Sequence, residues 1–319
     1  MKTLILAEIE EGGLKKTSLE IAVFAQKLGG EIDALVLGSS VADAAVQLGN
    51  HGVKTIYHIN DNRLDMPEAQ AVTTAIAIAM EKSGSDNLIM AKNSLTDSVA
   101  PRVAARENAA VASNVMDILS VSADSMEVKR GIFTGKAFAN TLLKGSKRVL
   151  TVKKNSVEVV EASGSAAQVE LLTVTFSDTD FAVKRTGIEK ATGKILLPEA
   201  QIVVSGGRGM KGPENWNLIE DLADALGAAT GCSKPVSDLH WRPHHEHVGQ
   251  TGIKVSPNLY IAVGISGAIQ HVAGINSSKF IVAINKDAEA PIFKAADYGI
   301  VGDAFEILPK LTAAVKADA

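Results

Sequence analysis

The sequence predicts an α/β protein of two domains, an N-terminal doubly wound mixed sheet followed by a C-terminal domain on a parallel sheet. Three observations carry this. The chain has 319 residues, enough for about two domains. It is 46% hydrophobic but only 4% aromatic, so its cores are built of Ala, Val, Ile and Leu, which suit helices packed closely on strands. Short apolar runs alternate with helical segments long enough to cross back over a sheet, the pattern of parallel βαβ units.

The first part shows the alternation directly. Thr3–Ala7 reads as a strand, Thr17–Leu28 as a helix stopped by Gly29-Gly30, and Glu31–Leu37 as the next strand. Val41–Leu48 reads as a helix ended by Gly49, and Thr55–Ile59 as a strand. Pro67–Lys82 reads as a helix with Pro in its first turn and Gly84 after it. Asn87–Ala91 is a further strand, followed by a helix through Pro101–Asn108. From Ser120 the rhythm changes to short β-like runs: Val128–Phe133, Ala137–Leu143, Val149–Lys153, Val157–Val160 and Glu170–Phe176. These predict an antiparallel or mixed addition to the sheet. The domain boundaries expected are 1–190, a linker 191–200 containing Leu197-Pro198-Glu199, and 201–319.

The second part differs in backbone chemistry rather than in charge. The last 129 residues hold 14 of the 27 glycines against 13 in the first 190, yet each of these stretches has a net charge of −2. Gln201–Val204 reads as a buried strand running into Ser205-Gly206-Gly207-Arg208-Gly209, then Pro213 and a helix over Asn215–Leu226. A strand, a glycine turn and a helix start make an anion-binding arrangement, and Arg208 adds a planar cation suited to phosphate. Leu259–Val263 is the next buried strand and leads into Gly264-Ile265-Ser266-Gly267-Ala268-Ile269-Gln270-His271. This G-x-x-G spacing departs from the G-x-G-x-x-G of ordinary NAD sites. Lys279–Asn285 and Tyr298–Val301 supply two more strands, with Asp303 beyond the second. In an open parallel sheet the strand C-termini line the ligand crevice, so Arg208, Ser266, Asn285 and Asp303 are expected to share one.

Several functions are excluded. The net charge of −4 leaves no basic footprint for nucleic acid. A single cysteine, Cys232, permits neither an intrachain disulfide nor a cysteine zinc cluster, and it reads as a small buried residue rather than a nucleophile. The stretch His240–His247 lacks the spacing of a zinc helix and is broken by Pro243, so an exposed polar loop is expected and no metal. No apolar run approaches the about 20 residues of a membrane span, and none at the N-terminus resembles a signal peptide. A cytoplasmic protein that is not an integral membrane protein is expected.

Taken together, SGGRGMKGPENW (Ser205–Trp216), VGQTG (Val248–Gly252), LYIAVGISGAIQHVAG (Leu259–Gly274), IVAINKDAEAPIF (Ile281–Phe293) and ADYGIVGD (Ala296–Asp303) resemble the α subunit of electron transfer flavoprotein. The blocks cover nearly all of the second part, whereas the first matches only by its opening LILAE, its length and its α/β rhythm. The resemblance implies an αβ heterodimer carrying one FAD, bound by the second domain of α, with an AMP in the β subunit. It implies an electron carrier without substrate conversion of its own, and so no catalytic residues. Flavoprotein dehydrogenases would donate, and a downstream acceptor such as a quinone oxidoreductase would receive. The implied FAD contacts are Arg208, Ser233, Lys234, Val248, Gly249, Gln250, Thr251, Ser266, Gly267, Ala268, Ile269, Gln270, His271, Asn285, Asp303 and Ala304. The first domain would be a scaffold contacting β, and its Glu10-Glu11-Gly12-Gly13 is too acidic for a phosphate loop. Lys234 stands where the family usually has Arg, keeping the charge but not the planar fork. The competing reading is an NAD-dependent oxidoreductase on a related nucleotide-binding fold.

Overall fold

The computed structural model describes residues 1–10, 12–39, 45–133, 137–159, 164–183, 186 and 196–318. The chain forms two compact units, one of Met1–Ile132 with Phe138–Ile188, the other of Glu189–Ala319 with Phe133–Ala137.

In the first unit β1 (Lys2–Ala7) is followed by a short antiparallel ribbon, β2 (Ile9–Glu10) and β3 (Gly13–Leu14), and then by α1 (Lys16–Gln26) and β4 (Glu31–Leu37). Next come β5 (Val53–Ile59), α2 (Ala69–Ser83), β6 (Asn87–Ala91) and α3 (Ser94–Glu107). The unit is completed by β7 (Ala110–Val121), β8 (Ser125–Ile132), β9 (Ala137–Lys144), β10 (Arg148–Val152) and β11 (Gln168–Leu171). One sheet joins them in the order β11-β5-β4-β1-β6-β10-β7-β8-β9. The pairs from β11 through β10 to β7 are parallel, and β7–β8 is antiparallel. Burial on both faces explains the unbroken apolar runs: Ile5 and Ala7 of β1 enter the core on one side with α1, Leu4 and Leu6 the core on the other with α2 and α3. α3 starts where Asn93 and Thr96 cap each other reciprocally, and α2 stops at Gly84, whose φ of 67° few other residues adopt.

Several expectations are corrected here. Of the helix expected over Val41–Leu48, residues 41–44 lie outside the described residues, Ala45 is α-helical, and Val46–His51 form a 3₁₀ turn that ends at the left-handed Gly52 rather than at Gly49. Pro67 precedes α2 instead of opening it. Val157–Glu158–Val159 form no strand, and Val160 lies outside the described residues. The run expected over Glu170–Phe176 pairs only through Leu171. Of the two arrangements expected for the later strands the mixed one is found: β7–β8 is antiparallel, while β10 inserts in parallel between β6 and β7. Its first residue, Arg148, is fully buried and donates to the Ser122 and Ala123 carbonyls at 2.9 and 2.7 Å, which ties the β7–β8 turn to the sheet centre.

The second unit contains β12 (Ile202–Gly206), α4 (Asn217–Leu226), β13 (Ala229–Cys232), α5 (Lys234–Asp238), β14 (Leu259–Val263), α6 (Ile269–Ile275), β15 (Phe280–Asn285), β16 (Tyr298–Val301) and α7 (Ala304–Asp318). All its strand pairs are parallel, in the order β13-β12-β14-β15-β16. Val203, Tyr260, Ala262 and Ala283 face one core with Ile275 of α6, while Val204, Ile261, Val263 and Ile284 face the other with α4 and α7. Leu197 and Ala200 are buried in the first of these cores, so the turn read as linker is packed into this unit. No helix among the described residues is long and apolar enough to cross a membrane.

Candidate functional site

The strand order of the second unit places its first and third strands, β12 and β14, side by side, with the chain leaving them in opposite directions along the sheet. Such a topological switch point opens a crevice at the strand C-termini, the place where doubly wound sheets bind ligands. The two loops that flank it are joined directly. Gly207 N–H donates to the Val263 carbonyl at 2.8 Å and Gly209 N–H to the Gly264 carbonyl at 3.0 Å. That approach requires glycine: a Cβ on Gly207 would lie 2.2 Å from the Gly264 oxygen, and one on Gly264, at φ 60°, 2.9 Å from Gly209 Cα.

This corrects the reading of the first glycine turn. Residues Arg208–Met210 form a 3₁₀ turn and α4 begins only at Asn217, so no helix follows the turn directly. The N–H groups of Gly207, Gly209, Met210 and Lys211 are all spent inside the protein. What this turn offers a ligand is the exposed Arg208 side chain.

The loop after β14 is the opposite case. Gly264 N–H is bonded to Ile284, but the N–H groups of Ser266, Gly267, Ala268, Ile269 and Gln270 donate to no described residue. Gly267, at φ 85°, lies so close to Ile292 that a Cβ would sit 2.3 Å from its nitrogen, and the Ser266 carbonyl accepts from that same N–H at 3.0 Å. The loop is thus braced from behind while a run of donors faces outward, a backbone arrangement that receives anionic oxygens.

Further hydrogen bonds gather the other site residues at this end of the sheet. Ser233 N–H donates to Gly206, Val248 N–H to Cys232, and Gln250 N–H to the Gln270 carbonyl at 2.7 Å. Asn285 donates from Nδ2 to the Ile265 carbonyl at 2.9 Å, and Gly302 N–H donates to the Asn285 carbonyl. Asp303 caps α7 through Phe305 N–H at 3.0 Å, lies 3.6 Å from Lys211 Nζ, and has its carboxyl held below the usual range chiefly by that Phe305 bond. Asn285 therefore braces the loop after β14, and through Asp287 N–H to its Oδ1 also its own, while Asp303 braces the start of α7. Lys234, Gln250, Thr251, Ser266, Ala268, Ile269 and Gln270 are exposed, whereas Ser233, Val248, Gly249, Gly267 and Ala304 are buried beneath them. The exposed set combines cations, amide and hydroxyl groups, and one apolar side chain, Ile269, which is 73% exposed.

His271 is buried under the rim, and its Nε2 lies 3.0 Å from the Tyr260 hydroxyl. Burial pushes the imidazole down to about 4 and raises the Tyr260 phenol, so both are neutral at pH 7. Cys232 is fully buried and its thiol is pushed up to about 12 by that burial, which fits a packing role.

The stretch expected as an exposed polar loop is only partly so. His240, His244 and His245 are exposed, but Glu246 and His247 are buried. Glu246 accepts from Arg242 Nε at 2.7 Å and from its Nη2 at 2.6 Å, and Arg242 also lies 3.1 Å from Glu220. This bolt fixes the chain entering Val248. His247, absent from the sequence-based site, has a buried Nδ1 without a described partner and packs against Gly249 and Gly252. Only its position two residues before Gly249 hinted at that place.

The first unit has a switch point of its own, between β1 and β6, but an acidic side chain, Glu8, stands at it. Asn93 donates to Glu8 Oε1 at 2.6 Å and Lys15 lies 3.5 Å from Oε2, which puts a carboxylate where a phosphate would sit.

Fold and rim thus define an α/β protein whose second unit carries a candidate ligand site at a switch point of a doubly wound sheet. The Electron transfer flavoprotein FAD-binding domain model matches residues 196–276, and the Electron transfer flavoprotein domain model matches residues 3–179. Electron transfer flavoprotein subunit alpha of Bacillus subtilis is 35% identical over 98% of this chain and 96% of its own length. The namesakes from Mycobacterium tuberculosis and Paracoccus denitrificans are each 39% identical, over 98% or more of both chains. The chain belongs to the electron transfer flavoprotein α-subunit family.

Proposed function

We propose that this chain is the α subunit of a heterodimeric electron transfer flavoprotein, binding FAD on its second unit and passing electrons from flavoprotein dehydrogenases to a downstream acceptor such as a quinone oxidoreductase. The observation that carries the site is the run of open N–H groups from Ser266 to Gln270 beside Arg208 at the β12–β14 switch point. A dinucleotide diphosphate is the ligand that such donors and a planar cation suit. Bound FAD supplies the redox chemistry, and the protein holds and tunes it.

The residues divide the work by their chemistry. Arg208 and the Ser266–Ala268 backbone take the diphosphate, and Ser233 and Lys234 lie on the neighbouring strand end. Gln250, Thr251, Ile269 and Gln270 meet the flavin end, with Val248, Gly249, Gly267 and His271 supporting them from below. Asn285, Asp303 and Ala304 meet the adenosine end. The first unit serves as the scaffold that contacts the β subunit, in which the AMP resides. The complex works in the cytoplasm as a carrier and converts no substrate of its own.

The test is the absorbance spectrum of the chain co-purified with its partner subunit. A yellow complex that releases FAD on denaturation supports the reading. A colourless complex that binds NADH and rejects FAD would replace it with an NAD-dependent oxidoreductase.

A further inference from the structure

We propose that Tyr260 is a positioning residue for His271: its buried hydroxyl donates to Nε2 and holds the imidazole as the tautomer protonated at Nδ1. Tyr260 is fully buried and His271 is 6% exposed, with 3.0 Å between the two polar atoms. Both side chains are neutral, so this bond contains a single proton, either the phenol's or the one on Nε2. Two features favour the phenol as donor. The Ser205 side chain lies beside the phenol and favours its charged form, as a hydroxyl donating to the phenolic oxygen does, which leaves the phenol's own proton for Nε2. The Val248 backbone also lies beside the ring and favours its protonation, as a carbonyl acceptor does, so a lone pair on Nδ1 would face that acceptor. Nδ1 makes no hydrogen bond of good geometry to a described residue, so Val248 holds its proton only loosely and the Tyr260 bond is the firmer hold on the ring.

The consequence lies in what His271 joins. It stands in α6, the helix that follows the open donor run, and α6 packs on the turn Val248–Gly252. A Cβ on Gly274 would lie 2.5 Å from Gly249 Cα, and Gln250 N–H donates to the Gln270 carbonyl at 2.7 Å. Tyr260 stands in β14, on the strand itself. The pair therefore fastens both ligand loops to the sheet. Its effect on FAD rests on the functional reading above, whereas the tautomer does not.

The test uses the full chain with its partner subunit, ¹⁵N-labelled at histidine and first stripped of flavin. His271 is assigned by the signals lost in His271→Gln. In the wild type the ring should show a protonated Nδ1 and an unprotonated Nε2 at pH 7. In Tyr260→Phe the two tautomers should mix, and the Kd for FAD should rise about five- to tenfold, the size of one buried hydrogen bond. Tyr260→Phe with an unchanged tautomer would overturn the proposal. So would a wild-type ring protonated at Nε2, a result that needs no variant to fold. Failure of the wild-type complex to bind FAD would sink the carrier reading while the tautomer still decides this one.

Discussion

Replacing Gly264 by alanine tests whether the two switch-point loops must touch. Gly264 has φ 60°, and its new Cβ would lie 2.9 and 3.0 Å from Gly209 Cα and C, atoms of backbone that cannot swing away. A left-handed alanine costs about 1–2 kcal/mol, and forcing a methyl into filled space adds about 1–3 kcal/mol. Gly227 separates the two terms, since it has φ 59° with nothing within 4 Å of its Cβ. Gly227→Ala should lose only the backbone term, and Gly264→Ala both. Prising Gly264 from Gly209 also loosens the bond from Gly209 N–H and tilts the donor run that follows. Urea unfolding of the αβ complex at fixed protein concentration gives the first comparison, and FAD titration by flavin fluorescence the second. Gly264→Ala should be less stable than Gly227→Ala and should bind FAD more weakly than it does. Equal midpoints and equal FAD affinities would refute the reasoning.

Three further outcomes follow. Because burial lowers His271 to about 4 from an unfolded value near 6.5, the unfolded state takes up a proton that the folded state refuses. Stability is then full above about pH 6.5 and falls as pH drops towards 4, by on the order of 3 kcal/mol. His271→Gln should flatten that slope in urea unfolding between pH 7 and 5, and an unchanged slope would count against it. Lys234→Arg should shift both one-electron potentials of the bound flavin in a redox titration, since a planar guanidinium interacts with a ring differently from an ammonium; unmoved potentials would remove Lys234 from the site. Cys232 should resist thiol reagents at pH 8 in the folded complex and react fully in urea, and rapid labelling of the native protein would contradict its burial.

How much was legible in the sequence follows from which forces act locally. The strands β12, β14, β15 and β16 stood out as short apolar runs, and their C-terminal ends were correctly gathered at one end of a parallel sheet. The work of individual residues there was less visible. Asn285 and Asp303 are types that favour turns and helix caps as readily as ligands, and in the structure both accept from the backbone two residues on and brace their own loops. Gly207 and Gly209 read as a phosphate turn, but the close approach of Val263 and Gly264, whose carbonyls take up their N–H groups, is a tertiary contact that no spacing reveals. Likewise β10 looks like any short strand after a hairpin. Its place between β6 and β7 is set by topology and by the buried Arg148.

The central claim is that FAD lies across the C-terminal ends of the second sheet. Hydrogen–deuterium exchange on the αβ complex with and without FAD tests it directly, because the deciding groups are amide protons. Loading should slow exchange most at Ser266–Gln270, with smaller effects at residues 206–211 and 248–251, and should leave Glu8 and Lys92–Asn93 unchanged. Protection centred on Glu8 and Asn93 in the first unit, with Ser266–Gln270 exchanging freely in both states, would contradict it.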